Sequence, residues 1–342
     1  MLIRLIISFS LIVFSHSAMA SNGFRQFIAG EQQRPVEVAV WYPSAASSPK
    51  ENIADNPAFT GVSVVRNAKP LPGLHPVLLL SHGYGGSWRN LAWLADAMAE
   101  QGYIVIATNH PGTTTSDLTS AHARQLWRRP QDLIMALERI LNDPLLAGRA
   151  DVKRIAAVGH SLGGWTVMEL AGARFDPQQF AHDCIQHAEL SSCRLMTTLG
   201  LDNRQGASHL SSDLQDRRIK AVVALDLGLA RGLTTQSLGH IRLPVLILAA
   251  GVDSPALPAS LESQYLAKAL SSDVVTYGVI PGATHFSFMQ QCKPQGEALI
   301  EQSAPGEGEV CRDGQGVNRN ALHNMLIGKI SAFLNTALHY HP

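Results

Sequence analysis

A serine between two glycines is the clearest sign of chemistry in this sequence. Gly159–His160–Ser161–Leu162–Gly163 follows an apolar run at residues 155–158 and precedes a helical pattern over residues 161–173. A G-x-S-x-G motif at a strand-to-helix turn strains the serine backbone and pushes the hydroxyl out above a sheet. The motif therefore predicts Ser161 as a nucleophile.

A serine hydroxyl is a poor nucleophile at neutral pH and needs a histidine base, which a carboxylate orients. In this architecture the acid and the base follow the serine along the chain. His285 lies in a loop directly after the last apolar run and is the predicted base. Weaker candidates precede their strand or lie in or beyond the final helix: His240, His323, His339 and His341.

Two carboxylates fit the position of the triad acid. Asp253 follows the apolar run at residues 245–249, and Asp226 directly follows the run at residues 221–225. We predict Asp253 as the acid, with Asp226 as the alternative. The carboxylate that is not used would cap a loop or support the other.

The developing oxyanion needs backbone N–H donors. One donor is expected from Leu162, directly after the nucleophile, and the other from Tyr84 in the turn Ser81–His82–Gly83–Tyr84–Gly85–Gly86. This turn lacks the Lys-Ser/Thr ending of a phosphate-binding P-loop. We expect His82 and His160 to pack and orient these turns.

The elements that must position these residues alternate along the chain. Alternating apolar residues at 36–40 and apolar runs at residues 77–80, 104–108, 155–158, 221–225, 245–249 and 274–280 predict strands. Helical spacing occurs over residues 91–101, 131–141, 161–173 and 320–338. Residues 45–72 read as a long surface loop. The pattern indicates an α/β fold with a mostly parallel central sheet and helices on both faces. Residues 174–218 interrupt it and predict a small cap-like insertion.

Composition excludes several classes of function. The 342 residues carry 27 Lys+Arg and 27 Asp+Glu, and 46% are hydrophobic, so the chain can fold compactly and has no basic excess for nucleic acid. The sequence shows no CxxC pair or clustered histidine that would indicate zinc. We expect a small-molecule partner and no cofactor or metal.

The amino terminus and the cysteines both predict export. Arg4, an apolar run over residues 5–14 and Ala18–Met19–Ala20 form a secretory signal, with cleavage after Ala20. The run is too short to span a bilayer, so no stable membrane anchor is expected after cleavage. In an oxidising compartment four cysteines favour two local disulfides, between Cys184 and Cys193 and between Cys292 and Cys311. The mature domain, residues 21–342, is thus predicted to be periplasmic or secreted.

With these motifs in order, the chain resembles the α/β-hydrolases, and more closely the predicted dienelactone hydrolases of bacteria. These are similar to platelet-activating-factor acetylhydrolases and cutinase-like polyester hydrolases. Further segments that fit are residues 38–43, His110–Pro111–Gly112, Arg129–Pro130–Gln131–Asp132, His285–Phe286 and Asn318–Arg319–Asn320. The resemblance implies Ser161 as nucleophile and His285 as base.

Two departures limit what the resemblance implies. Dienelactone hydrolases use a cysteine nucleophile, whereas this chain has Ser161, so the family label does not define the substrate. Acetylhydrolase relatives take their acid from the position of Asp226, and cutinase-like relatives take theirs from that of Asp253. We expect a serine carboxylic-ester hydrolase; the alternatives are an acyltransferase with the same triad and a non-catalytic binding protein.

Overall fold

The computed structural model describes residues 21–202 and 204–338. The predicted signal peptide, residues 1–20, lies outside the described residues, as do His339 and His341. No helix within the described ranges is long and apolar enough to cross a membrane.

Ten strands form one sheet in the described part of the chain. In chain order they are β1 Gly23–Glu31, β2 Arg34–Tyr42, β3 Glu51–Ile53, β4 Val62–Arg66, β5 Leu74–Ser81, β6 Ile104–Thr108, β7 Arg149–His160, β8 Ile219–Leu225, β9 Val245–Ala250 and β10 Val275–Ile280. Their order across the sheet is β10-β9-β8-β7-β5-β6-β2-β1-β4-β3. The six strands from β10 to β6 are parallel, whereas β2 joins β6 in antiparallel register. All carboxyl ends of the parallel strands therefore meet at one edge.

Helices cover both faces of this sheet. They are α1 Ala92–Glu100, α2 Ser120–Ala123, α3 Arg128–Asn142, α4 Leu162–Leu170, α5 Pro177–Gln186, α6 Ser191–Arg194, α7 Arg204–Leu210, α8 Thr235–Leu238, α9 Ser263–Ala269, α10 Gly296–Ser303 and α11 Arg319–Ala337. Strand residues alternate between two apolar clusters: Val77 and Leu79 pack with α3 and α4, and Leu78 and Leu80 pack with α1 and α11. A strand buried on both faces needs this continuous apolar run. The predicted fold class is confirmed.

The region predicted as a long loop contains two short strands. Within residues 45–72, β4 pairs in parallel with β1 and in antiparallel with β3 at the sheet edge. Strand β1 was not predicted either, although it pairs with β2 along nine residues. The three strands at this end of the sheet, β1, β3 and β4, have no long apolar run because several of their residues are exposed. Their pairing depends on partners distant in sequence.

Residues 174–218 form a helical insertion between α4 and β8. It contains α5, α6 and α7, and a disulfide between Cys184 and Cys193 joins α5 to α6. A second disulfide, between Cys292 and Cys311, closes the segment that contains α10. Both predicted pairings are present.

A buried ion pair joins the sheet to α3. The Arg34 guanidinium on β2 contacts both carboxylate oxygens of Asp132, whose Oδ2 also lies 3.0 Å from His110 Nδ1. The Arg34 and Asp132 side chains are only 5% and 3% exposed. Removing one partner of such a pair is costly because the other charge stays buried.

We expect Arg34→Met to lower the free energy of unfolding by about 3–5 kcal/mol, measured by urea denaturation. The matched control is Arg66→Met, because Arg66 pairs with Glu51 at the surface, where the two side chains are 37% and 46% exposed. That control is expected to lose at most about 1 kcal/mol. Equal losses in the two variants would contradict the importance of the buried pair.

Candidate active site

Ser161 lies on a strained turn between β7 and α4. Its backbone has φ 56° and ψ −121°, a conformation that costs a non-glycine residue energy and that persists only where the surroundings enforce it. The flanking glycines explain how the turn fits. A Cβ on Gly159 would lie 1.9 Å from the carbonyl oxygen of Gly163, and one on Gly163 would lie 2.0 Å from that of Ser81. Both positions therefore require glycine.

His285 links the serine to a carboxylate. It lies after β10, at the start of a short 3-10 helix, His285–Phe288. Its Nε2 is 3.0 Å from Ser161 Oγ, and its Nδ1 is 2.7 Å from Asp226 Oδ2. An Nδ1–H donated to the carboxylate leaves Nε2 free to accept the serine proton.

The acid in contact with His285 is Asp226, the alternative, and the preference for Asp253 is corrected accordingly. Asp226 follows β8, the strand adjacent to β7, and is 4% exposed. Its second oxygen accepts the N–H of Ala250 at 2.8 Å, which fixes the carboxylate. Asp253 follows β9, one strand farther from Ser161, and is exposed. No hydrogen bond or ion pair in the described residues joins Asp253 to His285.

The two predicted oxyanion donors lie beside the nucleophile. Tyr84 and Leu162 line the same cavity as Ser161 and His285. The turn after β5 approaches the serine closely, since a Cβ on Gly83 would lie 3.0 Å from Ser161 Cβ. The arrangement places the backbone of the turn after β5 and the start of α4 close to the hydroxyl.

The His160 side chain supports His285 by a hydrogen bond to the His285 backbone. The His160 Nε2–H donates to the His285 carbonyl oxygen at 2.8 Å, and the two rings lie 4.7 Å apart. Burial lowers the pKa of His160 to about 3, so the ring is neutral at neutral pH. A neutral, hydrogen-bonded imidazole fits the predicted orienting role.

A buried arginine that sequence reasoning did not single out holds the turn after β5. The Arg129 guanidinium donates to the His82 carbonyl oxygen, to Ser81 Oγ at 3.2 Å and to Thr166 Oγ1 on α4 at 2.9 Å. Arg129 is 1% exposed, and burial lowers its pKa to about 9. The Arg129–Pro130–Gln131–Asp132 segment was noted as family-like, but nothing local in it indicates contact with the turn.

Two cavities meet at the serine and histidine. One has a volume of 230 Å³ and lies beneath the insertion, where Leu195, Leu199, Leu229 and Leu257 line it. The other is a groove of 530 Å³ with apolar walls from Leu118, Phe286, Met289 and Val310. Tyr84, Ser161, His285 and Phe286 line both. A substrate whose carbonyl carbon lies at Ser161 can thus place one flanking group in each cavity.

Over residues 21–202 and 204–338, no group of three or more His, Cys, Asp or Glu side chains is arranged to hold a metal ion. The cavity presents a serine with a hydrogen-bonded histidine and carboxylate, an arrangement that suits acyl transfer.

Sequence comparisons match part of the chain to esterases and other hydrolases. Residues 74–188 match the family model Hydrolase_4, described as serine aminopeptidase, S33. Cutinase est2 of Thermobifida alba is 37% identical over 101 residues, 29% of this chain and 31% of the relative. Bis(hydroxyethyl) terephthalate hydrolase of Streptomyces coelicolor is 29% identical over 118 residues, 34% of each chain. The chain thus spans about a third of these relatives' length.

Structural comparison extends over nearly the whole chain. The ferulic acid esterase from Streptomyces cinnamoneus superposes with a TM-score of 0.64 at 20% identity, covering 94% of this chain and 91% of that one. A puromycin-hydrolyzing peptidase of Mycobacterium tuberculosis gives a TM-score of 0.53 at 16% identity, covering 97% of this chain and 42% of that one. At these identities the likeness concerns architecture. This chain has the α/β-hydrolase fold.

Proposed function

We propose that this protein is an exported serine hydrolase that cleaves carboxylic esters through an acyl-enzyme on Ser161. The observation that carries the proposal is the hydrogen-bonded series from Ser161 Oγ to His285 Nε2, 3.0 Å, and from His285 Nδ1 to Asp226 Oδ2, 2.7 Å. It lies on a strained nucleophile turn where two cavities meet.

In the first step Ser161 Oγ attacks the ester carbonyl while His285 Nε2 takes its proton. The tetrahedral oxyanion accepts hydrogen bonds from the backbone N–H groups of Tyr84 and Leu162, and Asp226 stabilises the imidazolium. Collapse expels the alcohol, which receives the proton from His285. Water then attacks the acyl carbon while His285 Nε2 takes one of its protons, and collapse of the second tetrahedral intermediate returns that proton to Ser161 Oγ and releases the acid.

The relatives support an ester rather than another acyl substrate. Cutinases, a bis(hydroxyethyl) terephthalate hydrolase and, by fold, a ferulic acid esterase are similar to this chain. The apolar walls of the 530 Å³ groove suit an uncharged ester. The closer likeness to predicted dienelactone hydrolases stays a prediction about family, because Ser161 replaces the cysteine of dienelactone hydrolases.

Export is part of the same proposal. Disulfides persist in oxidising compartments, and this chain has two, at Cys184–Cys193 and Cys292–Cys311. Together with the signal-like residues 1–20, they support a periplasmic or secreted mature protein.

We expect the mature protein to hydrolyse short-chain p-nitrophenyl esters, and Ser161→Ala to lower kcat by at least about 10³-fold, because the nucleophile is lost. The measurement is nitrophenolate release under saturating ester, with circular dichroism as the control for folding. Equal turnover by the folded variant and the wild type would refute the acyl-enzyme.

The acid is tested by Asp226→Asn and Asp253→Asn in parallel. We expect Asp226→Asn to lower kcat by about 10³–10⁴-fold, because an amide at this position favours the wrong imidazole tautomer. Asp253→Asn, the matched control at an exposed site, is expected to stay within about twofold of wild type. The reverse ranking would restore Asp253 as the acid.

A further inference from the structure

Beyond Glu309 and the residues around Ser161 and His285, three separate segments of the chain line the cavity beneath the insertion. The insertion contributes Ser192 and Leu195, the segment after β8 contributes Leu229, and the segment after β9 contributes Leu257. No single helix or strand sets the width of this cavity. Its shape therefore depends on whatever holds the three segments together.

Glu262 joins all three segments. It lies at the start of α9, after the segment that carries Leu257, and is 1% exposed. Its Oε1 accepts a hydrogen bond from the hydroxyl of Ser192 on α6 at 3.0 Å. Its Oε2 accepts a hydrogen bond from the backbone N–H of Ala230 at 2.8 Å.

The segment that Glu262 holds is strained where it lines the cavity. Leu229 has φ 66° and ψ 14°, in the left-handed region, and its side chain is 3% exposed. Such a conformation costs a branched residue of this kind on the order of 1 kcal/mol or more and needs external support. The hydrogen bond from the next N–H, that of Ala230, to Glu262 supplies such support.

The same segment anchors the insertion from its other side. The Arg231 guanidinium pairs with Asp183 on α5, and Gln179 Nε2 donates to the Arg231 carbonyl oxygen at 2.7 Å. Loosening residues 229–231 would therefore affect α5 as well as α6. Glu262 lies where the contacts of the insertion and of the cavity wall converge.

We propose that Glu262 is a positioning residue that fixes the cavity beneath the insertion as the binding site for the smaller of the two groups flanking the scissile ester. This inference rests on the proposed esterase function and specifies which residue sets its selectivity. At 230 Å³ the cavity is below the roughly 300–1,000 Å³ typical of drug-sized ligand sites, and its leucines alternate with polar side chains such as Ser192, Arg194 and Ser254. Its size suits a short chain, while the 530 Å³ groove takes the larger group.

The chemistry of Glu262 offers a conservative variant. Burial raises its pKa to about 7, against the opposing hydrogen bonds of Ala230 and Ser192 and the nearby Arg231 charge. A glutamine keeps an acceptor for the Ala230 N–H, and its amide can donate to Ser192 Oγ instead of accepting from it. Glu262→Gln thus keeps both contacts, whereas Glu262→Ala removes them.

The test measures kcat/KM for two ester series, p-nitrophenyl esters of acids from acetate to octanoate and acetates of alcohols of the same lengths. Together the series place a short chain on either side of the ester bond. In the acid series, selectivity is kcat/KM for the hexanoate ester divided by kcat/KM for the acetate ester. In the alcohol series, it is kcat/KM for hexyl acetate divided by kcat/KM for methyl acetate. Because both esters use the same triad, the ratio cancels effects on the nucleophile and base.

We expect Glu262→Ala to lower this ratio at least about fivefold in one series, mainly through KM, while acetate turnover stays near wild type. Glu262→Gln is expected to retain the ratio within about twofold. The control is Asp96→Ala on α1, which removes another largely buried carboxyl, bonded to Asn22 and lining neither cavity. It should leave the ratio unchanged.

An unchanged or increased ratio for Glu262→Ala in both series, with ester turnover retained, would overturn the positioning role. An equal fall in Asp96→Ala would also overturn it, since the effect would then be general loosening. Failure of the wild type to hydrolyse any ester would instead refute the proposed function. The two failures are therefore distinguishable.

Discussion

The close contact between α4 and β5 is the constraint on which the site depends. The Cα of Gly163 lies so near the Ser81 carbonyl that a side chain there would leave only 2.0 Å between its Cβ and the oxygen. Ser161, at the start of α4, is held in its strained conformation next to this contact. The turn after β5 lies beside the hydroxyl at the same point, so the contact brings together the proposed nucleophile and the proposed oxyanion donors.

Buried polar groups maintain this arrangement beneath the surface. Arg129 bonds both the turn after β5 and Thr166 on α4, and the Arg34–Asp132 pair ties α3, which carries Arg129, to β2. The His160 imidazole donates a hydrogen bond to the carbonyl oxygen of His285 and so holds the loop that carries His285. Buried charges of this kind contribute little net stability unless every partner is present, but they specify one geometry when all are paired.

The residue proposed to set selectivity is separated in space from the residues proposed for catalysis. Ser161, His285 and Asp226 come from three turns at the carboxyl edge of the sheet, whereas the cavity beneath the insertion is formed by segments added around that edge. Glu262 contacts none of the three but joins the segments that form the wall. Loops on a rigid sheet can thus change the substrate without disturbing the nucleophile.

The sequence alone determined what depends on neighbouring residues. The turn that carries Ser161 was predictable from its flanking glycines, the place of His285 from the end of the last strand, and the parallel sheet from uninterrupted apolar runs. The strands β1, β3 and β4 and the contacts of Arg129 were not, because their partners are distant in sequence. Which of Asp226 and Asp253 contacts His285 was likewise decided only by the fold. Both follow a strand, but β8 is adjacent to β7 and β9 is not, and strand order is a property of the assembled sheet.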